Sequence, residues 1–286
     1  MNFHIVDVFG NSKYSGNQLA VFHDTGGLSS DEMQLIAREM NFSETTFVVS
    51  SVPSDGGYRV RIFTPLNEID FAGHPTLGTA YIISKYIQQP EEHNVVLNLT
   101  AGKIPVCSSG GIWWMKQNQP IFGSTCIPEM IAEMLGLSLG DIDKTYPVTM
   151  VSTGLPFTII PLKSLNALKK AKINSLHYKA FIGNAWAKGL LAFSRETYEE
   201  NQHLSVRVFV DYLGIPEDPA TGSATGCLAA YLLKYESHSG LLKLITGQGY
   251  EIGRPSSLFI EAGISDHNYD IRVGGRVIEI AGGQWY

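Results

Sequence analysis

Three acid–base side chains lie where predicted strands, turns and helices meet, and they indicate the chemistry that this chain could do. Glu44 directly precedes the β-branched run 45–49, where partial shielding from water would suit a carboxyl group to proton transfer near neutral pH. His74 follows Gly73 at a predicted helix start, and Asp218 precedes a proline in a predicted turn. Each has a plainer interpretation: a solvated carboxylate, a helix cap and a turn former. Together they indicate acid–base chemistry without a cofactor.

Two predicted helix starts accompany these residues and could hold an anion. A predicted strand runs into an acidic turn, and a buried helix then begins near Gly222. In the other case Pro75 fits the first position of a helix. Because the first N–H groups of a helix lack intrahelical partners, the starts at Gly73 and at Gly222 are natural anion sites. By default, the side chains of Thr221 and Ser223 are caps of the second helix.

Motifs for the common cofactors are absent from the sequence. It contains no G-x-G-x-x-G after a strand, no Walker loop, no H-E-x-x-H, no G-x-S-x-G and no paired C-x-x-C. We therefore expect no nucleotide cofactor, no structural zinc or other metal, and no serine-hydrolase chemistry.

The composition predicts an ordinary soluble globular protein. The 286 residues are 44% hydrophobic and 17% charged, and the formal net charge of −6 argues against nucleic acid or an anionic membrane as the main partner. We find no secretory signal pattern and no apolar run as long as a membrane span. Three widely spaced cysteines fit thiols in a reducing cytoplasm better than a disulfide framework.

The order of predicted elements repeats, and the repeat predicts the fold class. A strand, a turn and a helix start at 59–81 are matched by the same succession at 206–231. We expect an α+β fold of two similar lobes, each a mostly antiparallel sheet wrapped round a central helix, with both helix starts facing one cleft. The predicted N-terminal lobe covers residues 1–118, completed by a C-terminal strand at about 276–286, and the second lobe covers 119–275.

Local patterns predict further elements. Ser29 and Glu32 have capping-box spacing, and Leu28 with Met33 could form a hydrophobic staple. The region 119–145, which contains two prolines and a short helix, is the best candidate for a linker. Strands are predicted at 4–9, 19–22, 45–49, 58–63, 95–99, 104–107, 112–115, 148–151, 157–160, 185–194, 206–210, 258–261, 269–273 and 276–280.

Several segments of the chain resemble motifs of the PhzF, or phenazine biosynthesis-like, family. The G-H-P-T segment at 73–76 and the E-D-P-A-T-G-S-A segment at 217–224 are the most specific. The other matching segments are 7–9, 16–21, 41–45, 70–72, 247–249, 253–256 and 273–275. The resemblance therefore covers essentially the whole chain.

The resemblance implies a diaminopimelate-epimerase-like fold, an active site between two lobes, and a homodimer. Thiol-using racemases of this fold exchange the proton between one cysteine from each half. Here those places are occupied by Gly73-His74 and by residues 220–222, and no cysteine stands at either. Two-thiol racemisation is therefore not expected.

In the PhzF enzyme, a glutamate moves a proton between carbons of a dihydro-hydroxyanthranilate, helped by a histidine, an aspartate and a serine. The resemblance assigns these positions to Glu44, His74, Asp218 and Ser223. The catalytic residue is then Glu44, and the predicted substrate-binding residues are Gly73, His74, Asp218, Gly222 and Ser223.

We therefore expect a cytoplasmic, cofactor-independent biosynthetic isomerase. It would move a proton on a small carboxylate-bearing substrate that is anthranilate-like or amino-acid-like, using one glutamate as general acid and base. Two alternatives remain open. One is a racemase or epimerase of an amino-acid-like substrate, and the other is a non-catalytic small-molecule-binding or interaction protein on the same scaffold.

Overall fold

The computed structural model describes residues 1–88, 90, 92–237, 240–266 and 268–286. The α-helices are α1 (Ser30–Met40), α2 (Gly73–Ile82), α3 (Pro128–Met134), α4 (Leu165–Lys170), α5 (Ser175–Ile182) and α6 (Gly222–Tyr235). The strands are β1 (Asn2–Val8), β2 (Asn17–His23), β3 (Glu44–Val48), β4 (Tyr58–Phe63), β5 (Glu68–Ile69), β6 (Asn94–Leu99), β7 (Gly102–Ser109), β8 (Ile112–Lys116), β9 (Ile121–Thr125), β10 (Thr149–Ser152), β11 (Pro156–Pro161), β12 (Gly189–Ser194), β13 (Leu204–Val210), β14 (Ile215–Asp218), β15 (Leu241–Gln248), β16 (Ser256–Ser265), β17 (Asn268–Gly275) and β18 (Val277–Gln284).

Residue contacts divide the chain into two compact units. Unit 1 consists of Met1–Lys116 with Gly274–Tyr286, and unit 2 consists of Gln117–Val273. Both combine a sheet with helices, so the predicted α+β, sheet-dominated fold class is confirmed. No helix in the described part of the chain is long and apolar enough to cross a membrane.

Unit 1 is a mixed sheet built on a central helix. Strand β1 pairs antiparallel with both β2 and β18, and β2 pairs parallel with β3. Strand β3 pairs antiparallel with β4, which pairs parallel with β6, and β6 pairs antiparallel with β7. Helix α2 contacts strands of this sheet and is buried on nearly every side, as an apolar central helix must be.

Unit 2 repeats this order of pairings. Strand β10 pairs antiparallel with β11, β11 parallel with β12, and β12 antiparallel with β13. Strand β13 then pairs parallel with β15, and β15 antiparallel with β16. Helix α6 is the buried counterpart of α2 and contacts β10, β11, β15 and β16. The two units therefore share one topology, as the sequence repeat predicts.

The beginning of α1 follows the sequence pattern closely. The Ser29 backbone N–H donates to Glu32 Oε2 at 2.8 Å, and the Glu32 N–H donates to Ser29 Oγ at 3.3 Å. The predicted capping box is thus confirmed. Leu28 packs against the same hydrophobic cluster that contains Met33, as expected for a staple.

Two local predictions are wrong. Helix α2 begins at Gly73 with Ala72 as its N-cap, so Pro75 is the third helical residue and His74 is not a cap. The region 119–145 is not a linker, because it contains β9 and α3 and its residues belong to unit 2. Strand β9 pairs with β10, and α3 begins with Pro128 at its first position.

Candidate active site

Unit 1 brings Glu44 and His74 together at the start of α2. Glu44 is the first residue of β3, and His74 is the second residue of α2. Their atoms Glu44 Oε2 and His74 Nε2 lie 3.5 Å apart, with the Glu44 side chain 16% exposed and the His74 side chain 6% exposed. A mostly buried carboxyl group therefore lies beside a buried imidazole, and a small part of the carboxyl side chain is exposed to solvent.

The His74 ring is neutral at ordinary pH. Complete burial removes the hydration of the charged ring and lowers the pKa of His74 to about 3, despite an opposing hydrogen bond with the Gln18 backbone. The distance between His74 and Glu44 is that of an ion pair, but a neutral ring supplies no charge to it. The contact therefore joins a carboxyl group to an uncharged imidazole.

The start of α2 presents backbone donors in this same place. Its N-cap, Ala72, has no side-chain cap hydrogen bond, and Pro75 has no N–H. The first helical hydrogen bond of α2 is made by the Thr76 N–H, which donates to the Ala72 carbonyl at 3.3 Å. The N–H groups of Gly73 and His74 are therefore those of the helix start, where the helix dipole favours negative charge.

Unit 2 holds Asp218 at the end of β14 and at the beginning of a turn that leads into α6. Asp218 is buried and its Cα is partnered with that of Val208 in the ladder between β13 and β14. The Thr221 hydroxyl donates to Asp218 Oδ2. Thr221 is the N-cap residue of α6, yet its side chain does not cap the helix. The expected hydroxyl cap is therefore replaced by a bond that orients a carboxylate.

The start of α6 resembles the start of α2. Gly222 and Ser223 are its first two residues, both are buried, and Ser223 lies inside the helix instead of capping it. The Thr225 N–H donates to the Thr221 carbonyl at 3.0 Å, so the N–H groups before Thr225 are those of the helix start. This is a second place that favours an anion.

A buried ion pair supports the turn that carries Asp218. Arg207 Nε and Nη2 donate to the two carboxylate oxygens of Glu217 at 2.9 and 2.6 Å. Arg207 Nη1 also donates to the carbonyls of Leu168 and Ala171, at 3.0 and 2.7 Å. The Glu217 carboxylate therefore has a structural role, in which it holds the turn that carries Asp218.

The cysteines do not contribute to either helix start. Cys227 is fully buried in the hydrophobic core under α6, and burial raises the pKa of its thiol to about 11. Burial likewise raises the pKa of Cys126 to about 11. In the described part of the chain, no three His, Cys, Asp or Glu side chains are grouped as a metal site.

The structure thus places every predicted site residue at one of two helix starts: Glu44, Gly73 and His74 in unit 1, and Asp218, Gly222 and Ser223 in unit 2. Sequence reasoning missed two participants. The Gln18 backbone bonds the His74 ring, and the side chain of Gln248 bonds the turn after Asp218. The family-like segments at 16–21 and 247–249 contain these two residues but do not give their roles.

The fold of this chain recurs in a distant structure. The structure of a probable proline racemase from Agrobacterium radiobacter covers 100% of this chain, and the match spans 92% of that protein with a TM-score of 0.64. At 9% sequence identity the likeness concerns the fold alone.

The family follows from closer matches. The family model described as phenazine biosynthesis-like protein matches residues 6–283, and the chain belongs to this family, the PhzF family. A PhzF-family phenazine biosynthesis protein from Bacillus anthracis has a structure that superposes with a TM-score of 0.90 at 29% identity, covering 100% of this chain and 99% of that one.

A relative in the same family gives the type of activity. The trans-2,3-dihydro-3-hydroxyanthranilate isomerase of Pseudomonas chlororaphis is 33% identical over 291 residues, which cover 99% of this chain and 98% of the relative. The present protein is therefore an isomerase.

Proposed function

We propose that this isomerase shifts a proton between two carbons of a small carboxylate-bearing substrate, anthranilate-like or amino-acid-like, with Glu44 as general acid and base. The observation that carries the proposal is the contact of 3.5 Å between Glu44 Oε2 and the buried, neutral His74 beside the start of α2. The first substrate to test is trans-2,3-dihydro-3-hydroxyanthranilate, because a relative covering almost the whole chain is named for it.

The His74 ring can accept a hydrogen bond from Glu44 while Glu44 carries the transferred proton. His74 Nε2 faces Glu44, so the hydrogen bond with the Gln18 backbone uses the other ring nitrogen, Nδ1. A neutral imidazole has one N–H, and Nδ1 carries it, so Nε2 presents a lone pair to Glu44. Once Glu44 has taken a proton from the substrate, its O–H can donate to this lone pair. The proton is then held, without a charge on the ring, until it returns to the second carbon.

The helix starts would hold the substrate carboxylate. The N–H groups of Gly73, Gly222 and Ser223 belong to first turns whose N-cap side chains make no cap bond. Removing a proton from a carbon next to a carboxylate or an enamine pushes negative charge towards that group. Fixed N–H donors and helix dipoles stabilise this charge as it develops, which lowers the barrier without a cationic pocket.

His74 and Asp218 would orient the rest of the substrate. Asp218 is a buried carboxylate whose Oδ2 accepts the hydroxyl of Thr221, and it suits an amino or hydroxyl group of the ligand.

The test is proton transfer in heavy water. With trans-2,3-dihydro-3-hydroxyanthranilate, the wild type should place deuterium on the carbon that gains the proton, read by NMR and mass spectrometry. Glu44→Gln should lose about 10²- to 10⁴-fold in turnover, the contribution of a positioned acid–base group. It should still bind anthranilate, which carries the carboxylate and the amino group. Glu39→Gln, an exposed carboxylate on α1 in the same unit, is the matched control.

Each alternative has its own outcome in this assay. Near-normal turnover of Glu44→Gln would falsify the assignment of the base. A non-catalytic binding protein would bind anthranilate and exchange no hydrogen. A racemase would invert a chiral centre of an amino-acid-like substrate without moving a double bond.

We also propose that the enzyme works as a homodimer in the cytoplasm. Cys107, Cys126 and Cys227 form no disulfide with one another, which suits a reducing compartment. The dimer is expected from the family resemblance, and light scattering on the purified protein tests it directly. A single species with twice the mass of the chain is the expected result.

A further inference from the structure

The buried side chain of Gln248 joins both ends of the turn between Asp218 and α6. Gln248 is 0% exposed and is the last residue of β15. Its Nε2 donates to the Asp218 carbonyl at 2.7 Å and to Thr221 Oγ1 at 3.0 Å. Its Oε1 accepts from the Thr221 backbone N–H at 3.2 Å. One amide group therefore makes three hydrogen bonds across a turn of four residues.

The orientation of this amide is determined by its partners. The Thr221 backbone N–H can only donate, so it must face Oε1, and the Asp218 carbonyl can only accept, so it must face Nε2. If the amide were flipped, its N–H donors would face the Thr221 N–H, and its oxygen would face the oxygen of the Asp218 carbonyl. Gln248 is thus held in a single state by the backbone of the turn.

The fixed amide in turn determines the direction of the Thr221 hydroxyl. Because Nε2 donates to Thr221 Oγ1, the hydroxyl proton must point elsewhere, and the nearby acceptor is Asp218 Oδ2. The chain of donors runs from Gln248 through Thr221 to the Asp218 carboxylate. Gln248 therefore aligns the Asp218 carboxylate, which we expect to bind the substrate, through the Thr221 hydroxyl.

Two glycines flank Gln248 at positions where other atoms approach the backbone closely. Gly249 has a φ of +81°, and a Cβ there would lie 2.6 Å from the Pro219 carbonyl oxygen. A Cβ on Gly247 would lie 2.2 Å from Oε1 of Gln202. A side chain at 249 would therefore push the end of β15 away from the turn, whereas one at 247 would displace the side chain of Gln202. The close approach at 249 explains the glycine that follows Gln248.

We infer that Gln248 is a positioning residue that sets the orientation of the Asp218 carboxylate, through Thr221, for recognition of the substrate's amino or hydroxyl group. The inference rests on the proposed role of Asp218. It predicts that disturbing Gln248 raises KM for a substrate with this group more than it lowers kcat.

The decisive variant is Gln248→Glu, which keeps the shape of the side chain and removes its N–H donors. The introduced carboxylate would repel the Asp218 carbonyl and accept the Thr221 hydroxyl, taking it from Asp218. Since a displacement of about 1 Å in a site can cost 10²-fold, kcat/KM should fall about 10- to 100-fold, mainly through KM. As the pH falls from about 8 to about 5, the ratio of variant to wild-type kcat/KM should rise. The reason is that protonation of the introduced carboxylate restores an O–H donor.

The controls separate positioning from general damage to the fold. Gln202→Glu changes a second buried glutamine, which donates to the Tyr250 hydroxyl at 2.6 Å and makes no bond to the turn. It should show no recovery at low pH. Thr221→Val should reproduce the KM effect of Gln248→Glu, and Thr221→Ser, which keeps the hydroxyl, should largely restore KM. Wild-type kinetics for Gln248→Glu, or the same pH response in Gln202→Glu, would overturn the inference.

A measurement without substrate distinguishes this inference from the proposed function. In Gln248→Leu the Thr221 amide loses its acceptor, and its hydrogen exchange, read by NMR, should accelerate by about tenfold. Unchanged exchange overturns the inference whatever the substrate is. If the wild type transfers no proton on trans-2,3-dihydro-3-hydroxyanthranilate but exchange at Thr221 accelerates, the proposed function fails and the hydrogen-bonded support of the turn stands.

Discussion

The starts of α2 and α6 have the same backbone plan and different side-chain chemistry. In each, the fourth helical residue is a buried threonine whose hydroxyl donates to the carbonyl of the N-cap residue: Thr76 to Ala72 at 2.8 Å and Thr225 to Thr221 at 3.0 Å. Neither N-cap makes a side-chain cap bond. The threonine takes over the stabilisation of the first turn, so the N–H groups at both starts remain suited to a ligand.

The strands that lead into these helices match as well. Arg61 makes a bidentate pair with Glu68 and lies 5.1 Å from the ring of Phe63. Arg207 makes a bidentate pair with Glu217 and lies 4.9 Å from the ring of Phe209. This shared detail extends the likeness of the two units from topology to individual side chains.

The difference lies in what each start adds to the shared plan. In unit 1 it is an acid–base pair, Glu44 and His74, that suits proton transfer. In unit 2 it is a longer turn in which Asp218 is fixed by Thr221 and Gln248. Under the proposed function, one copy of the repeated scaffold serves the chemistry and the other serves binding.

The largest expected difference between the two starts is kinetic. Glu44→Gln should lower kcat by about 10²- to 10⁴-fold, because it removes the group that we propose carries the proton. Asp218→Asn should instead act mainly on KM, because the amide keeps the shape but loses the charge that attracts an amino group. Steady-state kinetics of both variants test the division of roles. Equal losses of kcat would show that both starts take part in the chemistry.

The arginine pairs should differ in their contribution to stability. Arg207 and Glu217 have side chains that are 8% and 9% exposed, whereas those of Arg61 and Glu68 are 19% and 35% exposed. Arg207→Met would leave a buried carboxylate and carbonyls without their donor, and should lower the free energy of unfolding by about 3 to 5 kcal/mol. Arg61→Met should cost about 1 kcal/mol or less. Urea denaturation of both variants measures the difference, and similar losses would contradict it.

Protonation of His74 should make the stability of the protein depend on pH. Its pKa is lowered from 6.5 to about 3, so between these values the unfolded chain binds more protons than the folded one. The contribution is therefore complete above pH 6.5 and is lost as the pH falls towards 3. At about pH 4.5 the loss should be about 2 to 3 kcal/mol.

Urea titrations of the wild type and of His74→Asn across this range isolate the effect. Both proteins will lose stability from protonated carboxylates, so the difference between their slopes reports the imidazole. Parallel curves would mean that the ring is not buried as a neutral group.

The smallest expected effect tests the shared plan itself. Thr76→Val and Thr225→Val each remove one buried hydroxyl and keep nearly the same shape. Each should lower the free energy of unfolding by about 1 kcal/mol, the net value of one hydrogen bond. Thermal unfolding of the pair should give closely similar shifts. Unequal shifts would show that the first turns are stabilised in different ways.

Sequence reasoning succeeded where the cause of the structure is local. The capping box of α1 involves residues three apart, and the length of α6 follows from apolar residues at helical spacing. The proline at 75 predicts a start of α2 two residues later than the observed one, for a physical reason. A proline lacks an N–H and is tolerated anywhere in the first turn of a helix. The presence of Pro75 therefore does not show whether it is the first or the third helical residue.

Short elements and distant partners escaped prediction. Helices α4 and α5 have six and eight residues, too short for a clear apolar period, although Ser164 and Asn174 accept N-cap hydrogen bonds and could have signalled them. Gln248 lies 30 residues from Asp218 in the chain. Only the pairing of β13 with β15 brings the two near each other, and no local pattern encodes that.

The pairing of β1 with β18 has a consequence for biosynthesis. Residues 2–8 are translated long before residues 277–284, which supply the partner for one side of β1. At the usual rate of about 5 to 20 residues per second, the ribosome needs roughly 15 to 50 s to reach them. Unit 2 is one uninterrupted stretch and has all its residues before then. Until then one edge of the nascent N-terminal sheet lacks its partner strand, and such unpaired edges can pair with other chains.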